Sequence, residues 1–478
     1  MKKNHLDDAC TTILVGKNAS LDGSTMIARN DDTFLPVSPH NFVLNPAVKG
    51  EKNRVVKSWL NNFEAPIPEN GYSWPAVPNV DYKNEGYYDE SGINGKNVAM
   101  SATESTYGNE RALSVDPLVK DGMDEDVIVR MVLPFVDSAV DAVKRTGDLI
   151  KEYGSPAGNS LLFSDKDDVW YMEIVTGHHW VAQRIPDDSY AVAANRVSIQ
   201  QVDFNDTKQF MWSDGIQEFV EKNHLNTDKT GWNFRHIFGT DNVKDRHYNT
   251  PRVWFGQRYF NPEIKQDPED GELPFIMKTD HKISVEDIEY VLGSHYNETK
   301  FDPFSPDASD DDKYRYRPIG LNRTQNSHVL QIRNDVPEEI AAIMWLCVGF
   351  PSFSPYIPFY TNMNDTAKSY QNTSMTFDVT NSYWMYKGLS ALVESHYNNF
   401  VQDDTDYITE LNEKFRASII ETDKLSKDHS GDDLTQFLTD RNQKLVAETE
   451  DKTKKLYGEL FTKSINMSKL TFNMDKNL

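Results

Sequence analysis

Two short segments near the start of the chain are β-branched and apolar, and they predict a pair of antiparallel strands. They are Cys-Thr-Thr-Ile-Leu-Val (10–15) and Thr-Met-Ile-Ala-Arg-Asn (25–30). The segment between them is dense in turn-forming residues. A tight two-residue turn there would place residue 35 opposite Cys10, whereas a loop that spans 16–24 places residue 30 opposite it.

Apolar residues recur at helical spacing between Asp124 and Tyr153, which predicts a helix over this segment. Pro134 is expected to kink or divide the helix, and Gly154 to end it. The following segment alternates strand-forming runs with turn residues and predicts an antiparallel meander. Its four strands are predicted at 159–164, 169–175, 178–184 and 189–194.

The rest of the chain adds helices and one long irregular region. Residues 36–97 are rich in Pro, Asn, Gly, Tyr and Trp, which is typical of ordered loops that either form substrate walls or decorate a surface. Helices are predicted at 285–293 and 336–347. The charged segment after about residue 380 is predicted to be mostly helical, with a break near residue 428. Together these patterns predict the α+β class with large antiparallel sheets.

Composition and charge exclude several classes of protein. Hydrophobic residues make up 38% and aromatic residues 12% of the 478-residue chain, too many for a disordered protein. The net charge of −24 argues against binding to nucleic acid or to anionic membranes. No segment is long and apolar enough to span a bilayer, and the amino-terminal residues lack the apolar core of a secretion signal. A cytoplasmic location is therefore expected.

The chain has two cysteines, which excludes a disulfide scaffold and a thiolate metal cluster. Cys347 lies in a continuous apolar run and is predicted to be a buried core thiol. The adjacent His178 and His179 are not predicted to bind a metal ion, because neighbouring strand residues point to opposite faces. We expect neither a metal ion nor an organic cofactor.

Cys10 begins the first predicted strand and is the candidate nucleophile. A cysteine in this position is more often structural, but the longer hairpin loop would bring Arg29 and Asp32 close to the sulfur. If the bond between Ala9 and Cys10 is cut, the new α-amine lies beside the thiol. These groups have ordinary pKa values of roughly 7.7–8.0 and about 8.5, so the amine is matched to accept the thiol proton. Arg29 would stabilise the thiolate, and Asp32 would orient the amine.

Several short motifs follow one another in a specific order and spacing. They are Cys-Thr-Thr-Ile (10–13), Ala-Arg-Asn-Asp-Asp (28–32), Trp-Tyr-Met-Glu-Ile (170–174), Gly-His-His-Trp-Val-Ala (177–182), Ala-Asn-Arg (194–196) and Val-Leu-Gly-Ser-His-Tyr (291–296). Over most of its length the chain thereby resembles the C69 cysteine dipeptidases. That family belongs to the N-terminal nucleophile hydrolases and is related to bile-salt hydrolases and penicillin V acylases.

The resemblance implies a fold, an activity and a processing step. The fold would be the four-layer αββα sandwich of N-terminal nucleophile hydrolases over residues 10–379, with a helical extension over 380–478 packed on the same domain. Residues 1–9 would be a leader that is removed on maturation, which frees the α-amine of Cys10. The activity would be that of a dipeptidase of broad specificity that works through an acyl-enzyme. Small peptides would be its partners, and a homo-oligomer is left open.

The resemblance also implies roles for single residues. Arg29 and Asp32 match the Arg-x-x-Asp pair of the related acylases. Asn195 matches their oxyanion asparagine, and Arg252 matches a further active-site arginine. At the position of a second oxyanion asparagine this chain has Glu104, so a backbone N–H is the expected second donor.

A dipeptidase must bind the free ammonium group of its substrate. Glu104 and Asp31 are carboxylates close in sequence to the candidate site, and we expect them to bind that group. For Asp31, a solvated carboxylate is an equally good interpretation.

Two alternative functions stay open. An N-acyl amide hydrolase of the bile-salt hydrolase or penicillin V acylase type would need an apolar pocket and no carboxylate for an ammonium group. A non-catalytic binding protein on the same fold would need neither Cys10 nor removal of the leader.

Overall fold

The structure of the chain is a computed structural model that describes residues 10–81, 86–103 and 106–468. The strands are β1 (Thr11–Val15), β2 (Thr25–Asp32), β3 (Val43–Asn45), β4 (Val55–Lys57), β5 (Glu64–Pro66), β6 (Trp74–Ala76), β7 (Ser91–Ile93), β8 (Ala99–Thr103), β9 (Asn159–Ser164), β10 (Val169–Ile174), β11 (Trp180–Ile185), β12 (Ser189–Ala193), β13 (Phe210–Trp212), β14 (Ile276–Lys278), β15 (Thr324–Ile332), β16 (Ala342–Val348) and β17 (Ile357–Tyr360). The helices are α1 (Glu110–Leu113), α2 (Glu125–Val132), α3 (Ala139–Tyr153), α4 (Ile216–Lys222), α5 (Phe234–Phe238), α6 (Thr250–Phe260), α7 (Val285–Leu292), α8 (Asp310–Lys313), α9 (Glu338–Ala341), α10 (Ser382–Ser395), α11 (Tyr397–Leu425) and α12 (Gly431–Asn466).

Two antiparallel β-sheets form the centre of the fold and face each other. The larger sheet has the strand order β14-β12-β1-β2-β15-β16-β17, and the smaller has the order β13-β11-β10-β9-β8-β7. Strand β2 packs against β8, β9 and β10 across the space between the sheets. Two small ribbons, β3 with β6 and β4 with β5, lie in the loop-rich region.

Helices cover the outer face of each sheet. Helices α2 and α3 pack on β8, β9 and β10, whereas α6, α7, α10 and α12 pack on strands of the larger sheet. Sheets that are apolar on both faces need such covering layers. The prediction of an α+β fold with four αββα layers and C-terminal helices is confirmed. None of the described helices combines the length and the apolar character needed to cross a membrane.

The hairpin of β1 and β2 has the longer of the two predicted loops. Thr12 pairs with Arg29, so Cys10 stands opposite Asp31, one residue from the predicted partner. Residues that pair across antiparallel strands share a face, as do residues two apart on one strand. Cys10, Arg29 and Asp31 are therefore on the same face, and the bond from Arg29 to Ala102 in β8 shows that this face meets the smaller sheet.

The predicted meander is confirmed in its first three strands and changes sheet at the fourth. Strands β9, β10 and β11 pair in sequence, but β12 pairs with β1 in the larger sheet. Thr12 lies opposite Ala193. This pairing brings the residues directly after β12 beside Cys10.

The helix predicted between Asp124 and Tyr153 is divided where Pro134 indicates. A 3₁₀ turn at Leu133–Phe135 separates α2 from α3, because proline cannot donate the backbone bond that a continuous helix needs. Gly154 follows α3 with a φ of 71°, in the left-handed region that favours glycine. The helix predicted at 285–293 is α7.

The prediction of a helix over 336–347 is wrong. Helix α9 covers one turn of that segment, and β16 follows at once. Strand β16 lies between β15 and β17 and is buried along its whole length, including Cys347. A strand buried on both faces has a continuous apolar sequence, which periodicity alone cannot distinguish from a buried helix.

The C-terminal helices cover an edge of the larger sheet. Strand β17 is the last strand on that side, and α12 packs against it. The side-chain amide of Asn442 in α12 accepts a hydrogen bond from Tyr360 N (3.1 Å) and donates one to Tyr360 O (2.9 Å). The amide thus occupies backbone groups that an open edge would offer to another chain.

Replacement of Asn442 by Ala should lower the free energy of unfolding by about 1–3 kcal/mol, because the buried N–H and C=O groups of Tyr360 lose their partner. Urea denaturation followed by circular dichroism measures the change. The matched control is Lys444→Ala, at an exposed position of the same helix, which should change the free energy by less than about 0.5 kcal/mol. Equal effects of the two substitutions would contradict this account of the edge.

Candidate active site

Three chain segments meet at Cys10. The residue directly precedes β1, β2 runs antiparallel beside it, and Asn195 follows β12 on the other side. Cys10 is 3% exposed, and its Sγ accepts a hydrogen bond from Arg29 Nη1 at 3.6 Å. The candidate nucleophile therefore lies between the sheets in contact with a buried cation.

Arg29 is surrounded by acceptors. Its Nη1 also donates to the backbone oxygen of Ala102, and its Nη2 forms an ion pair with Glu90. Glu125 Oε1 lies 3.9 Å from Nη1. Burial opposes the charged form, but the charge of Glu90 and that of Cys10 in its thiolate form raise the pKa of Arg29 well above its ordinary value. Arg29 is therefore a permanent cation beside the sulfur.

The thiol of Cys10 is subject to opposing influences. Burial is the largest and raises its pKa, whereas the charge of Arg29 lowers it. The nearby carboxylates act in the same direction as burial; they are Glu90, Asp31 and Asp32. Because burial outweighs the cation, the thiol is protonated at neutral pH, and a base must remove the proton before the sulfur can act as a nucleophile.

Arg252 connects the helical layer to the start of β1. It lies in α6, and its Nη1 donates to Cys10 O at 2.7 Å. Its Nη2 donates to Asn195 Oδ1 at 2.6 Å and to Asn249 Oδ1 at 2.8 Å. Burial, followed by the neighbouring Arg317, lowers the pKa of Arg252 to about 10, which leaves the guanidinium charged at neutral pH.

These bonds fix the orientation of the Asn195 side chain. Guanidinium nitrogens are donors only, so the amide oxygen must face Arg252 and the amide nitrogen must face away from it. Asn249 Nδ2 holds the backbone oxygen of Asn195 at 2.9 Å. Asn249 ends a single π-helical turn, a feature frequent at functional sites. The arrangement sets an amide donor beside Cys10, as an oxyanion requires.

Asp31 and Asp32 lie on opposite faces of β2 and have different partners. Asp31 Oδ2 accepts a hydrogen bond from Asn326 Nδ2 at 2.7 Å and lies 3.5 Å from His40 Nε2. Asp32 is paired with the buried Arg317. Each carboxylate is thus held in place by a neighbouring element.

The structure brings most of the predicted site residues together around Cys10. Arg29 contacts its sulfur and Arg252 its backbone oxygen. Asp32 is close enough for its charge to raise the pKa of the thiol. The predicted substrate-binding residue Glu104 lies outside the described residues.

Three charged residues near the site escape prediction from sequence: Glu90, Glu125 and Arg317. Glu90 precedes β7, Glu125 begins α2, and Arg317 precedes β15. An ion pair between distant segments has no fixed sequence spacing, so no local pattern marks it. The one available signal is that Glu90 belongs to the aromatic-rich region interpreted as a candidate substrate wall.

Neither of the adjacent histidines belongs to the site. His178 Nδ1 lies 2.9 Å from Asp116 Oδ1, and His179 Nδ1 lies 2.9 Å from Ser213 Oγ. In the part of the chain that the structure describes, no three His, Cys, Asp or Glu side chains are grouped in a way that could hold a metal ion.

Comparison with known proteins agrees with the motifs. The model of a family described as peptidase family C69 matches residues 9–410. A probable dipeptidase of Latilactobacillus sakei is 52% identical over 98% of this chain and 98% of its own length. A probable dipeptidase B of Lactococcus lactis subsp. lactis (strain IL1403) is 41% identical over 99% of both chains. Dipeptidase A of Lactobacillus helveticus is 38% identical over 97% of this chain and 98% of its own.

Arg29→Gln should slow the alkylation of Cys10 by iodoacetamide at about pH 8 by about tenfold or more. The charge of Arg29 lowers the pKa of the Cys10 thiol, so its removal raises that pKa. Each unit by which the pKa rises lowers the fraction of thiolate about tenfold. Mass spectrometry of the peptide that contains Cys10 measures the rate. Arg184→Gln, which removes an ion pair with Asp168 distant from the site, is the control and should leave the rate unchanged. An unchanged rate in Arg29→Gln would mean that the cation does not act on the sulfur.

Proposed function

The chain belongs to peptidase family C69, and we propose that it is a cysteine dipeptidase of broad specificity with Cys10 as its nucleophile. The observation that carries the proposal is the contact of Cys10 Sγ with buried Arg29, beside the oriented amide of Asn195. A nucleophile, a stabilising cation and an oxyanion donor are the groups that acyl transfer from an amide requires. Relatives named dipeptidase or probable dipeptidase over nearly the whole chain support the choice of substrate.

The proposed base is the α-amine of Cys10. Residues 1–9 are removed first, because the nitrogen of an uncut peptide bond cannot accept the thiol proton. The free amine, oriented by Asp32, then takes that proton. The thiolate, stabilised by Arg29, attacks the carbonyl carbon of the dipeptide.

The tetrahedral intermediate collapses to an acyl-enzyme. Asn195 Nδ2 and a backbone N–H hold its oxyanion, and the Cys10 amine returns the proton to the departing amino group. Water, deprotonated by the same amine, then attacks the thioester and releases the N-terminal amino acid. Arg252 acts as a positioning residue that holds the Asn195 amide and the Cys10 backbone.

The charges around the site favour a substrate with a free ammonium group over an N-acyl amide. The carboxylates of Glu90 and Glu125 lie close to Arg29, and buried negative charge suits a cation better than an apolar acyl group. Asp31 and Glu104 are the carboxylates that the sequence proposes for this group. A non-catalytic binding protein would have no need of a buried cation at the thiol.

The mature protein should begin at Cys10 and hydrolyse Leu-Leu. Intact-mass measurement and amino-terminal sequencing of the purified protein test the first point, and release of leucine tests the second. Cys10→Ala should abolish hydrolysis and, if cleavage is autocatalytic, keep residues 1–9. Cys347→Ala is the control and should be processed and active. A protein that hydrolyses dipeptides while it still begins at Met1 would exclude the α-amine as the base.

Asn195→Ala should lower kcat for Leu-Leu by about 10²–10³-fold with little change in KM, because the lost donor acts on charge that develops in the transition state. Steady-state kinetics measure both constants. The control is Asn205→Ala, at an exposed turn, which should change neither. A higher KM without a lower kcat would assign Asn195 to substrate binding instead.

A further inference from the structure

Glu90 is held beside the proposed nucleophile by both its backbone and its side chain. Its backbone oxygen accepts a hydrogen bond from Ala102 N at 2.8 Å, and its carboxylate is ion-paired with Arg29 Nη2. Nη1 of the same guanidinium contacts Cys10 Sγ at 3.6 Å. Because both nitrogens belong to one planar fork, the Glu90 carboxylate lies within about 8 Å of the sulfur.

The Glu90 side chain is the most accessible of the carboxylates that the structure describes around Arg29. It is 13% exposed, against 9% for Asp31, 2% for Glu125 and 1% for Arg29 itself. Asp31 accepts a hydrogen bond from the amide of Asn326, and Glu125 accepts one from the hydroxyl of Tyr88. The side-chain partner of Glu90, among the described residues, is Arg29. Glu90 is therefore the carboxylate of this group with the largest exposed fraction.

Negative charge exceeds positive charge around this guanidinium. Glu90 is ion-paired with Nη2, and Glu125 Oε1 lies 3.9 Å from Nη1. The charges of Glu90, Asp31 and Glu125 all act on Arg29 and raise its pKa. One cation is thus shared among several carboxylates. A second cation bound at Glu90 would relieve the repulsion between them.

A dipeptide carries such a cation at a fixed, short distance from its reacting carbon. One Cα joins the α-nitrogen to the scissile carbonyl carbon, which places them about 2.5 Å apart. The carbon must approach Sγ to about 3–3.5 Å before attack. A carboxylate in hydrogen-bonding contact with the ammonium group must then lie within roughly 9 Å of the sulfur. Glu90 meets this requirement.

We propose that Glu90 binds the α-ammonium group of the substrate's N-terminal residue and thereby selects peptides with a free amino terminus. The inference rests on the proposed function and assigns its specificity to one residue. Arg29 then has two functions, since it holds the Glu90 carboxylate in place and stabilises the thiolate of Cys10. An N-acylated peptide leaves Glu90 without a second cation and is bound less tightly.

The test compares Leu-Leu with 4-methylpentanoyl-Leu, which lacks only the ammonium group, in the wild-type protein and in Glu90→Gln. Glutamine keeps the size of the side chain and an oxygen for Arg29 but loses the charge. The ratio of kcat/KM for Leu-Leu to that for the analogue should fall by about 10–100-fold. Most of the fall should come from a higher KM for Leu-Leu. If the analogue is not hydrolysed, its inhibition constant takes the place of its KM.

Two further variants separate substrate recognition from support of Arg29. Glu125→Gln removes a charge of the same sign close to Arg29 from a position that is 2% exposed, and it should lower the ratio far less than Glu90→Gln does. Glu90→Asp keeps the charge on a side chain that is shorter by one methylene, and its ratio should lie between those of the wild-type protein and Glu90→Gln. Glu90→Asp also provides the comparison if thermal melting shows that Glu90→Gln does not fold.

Equal losses of activity on both compounds in Glu90→Gln would overturn the inference, because they would assign Glu90 to the support of Arg29. A fall of the ratio in Glu125→Gln as large as that in Glu90→Gln would overturn it as well. A wild-type protein that does not hydrolyse Leu-Leu would refute the proposed function itself. A wild-type protein that does, with a ratio that the Glu90 variants do not change, would refute this inference alone.

Discussion

The buried guanidinium of Arg29 is the constraint on which the rest of the site depends. A cation placed between two sheets loses its hydration, and close partners of opposite charge must offset that loss. Glu90, Glu125 and the backbone oxygen of Ala102 provide such partners from the smaller sheet and the segments that flank it. The contacts that hold the two sheets together around Arg29 are therefore the same contacts that fix a cation at the sulfur of Cys10.

Arg252 has the corresponding function on the other side of β1. Helix α6 lies on the outer face of the larger sheet, and the Arg252 side chain reaches both Cys10 and Asn195 at the ends of their strands. Because β1 lies between β2 and β12, Cys10 has the strand of Arg29 on one side and Asn195 on the other. Strand order in one sheet thus brings groups that are distant in sequence to one point.

The features that could be predicted from sequence are those with local signals, such as the hairpin, the division at Pro134 and the first strands of the meander. The hairpin register was displaced by one residue, because the turn residues of a long loop do not determine where pairing stops. A one-residue shift exchanges the faces of a strand, so the structure, rather than the sequence, sets Asp31 opposite Cys10. Glu90 and Arg317 lie in irregular segments, where charged side chains usually indicate solvent exposure, and only the packed fold reveals that they are buried partners.

The distribution of charge around Cys10 bears on how an α-amine can act there as a base. Nearby carboxylates favour the ammonium form of an amine and raise its pKa, which would leave it unable to accept the thiol proton. Asp32, the acid proposed to orient the amine, is itself paired with Arg317, and Arg252 lies against the Cys10 backbone. Two arginines thus offset the acid on the backbone side of Cys10, whereas excess negative charge persists around Arg29 on the side of the sulfur. Under the proposed mechanism, this division places positive charge on the side of the base and negative charge on the side that receives the ammonium group of the substrate.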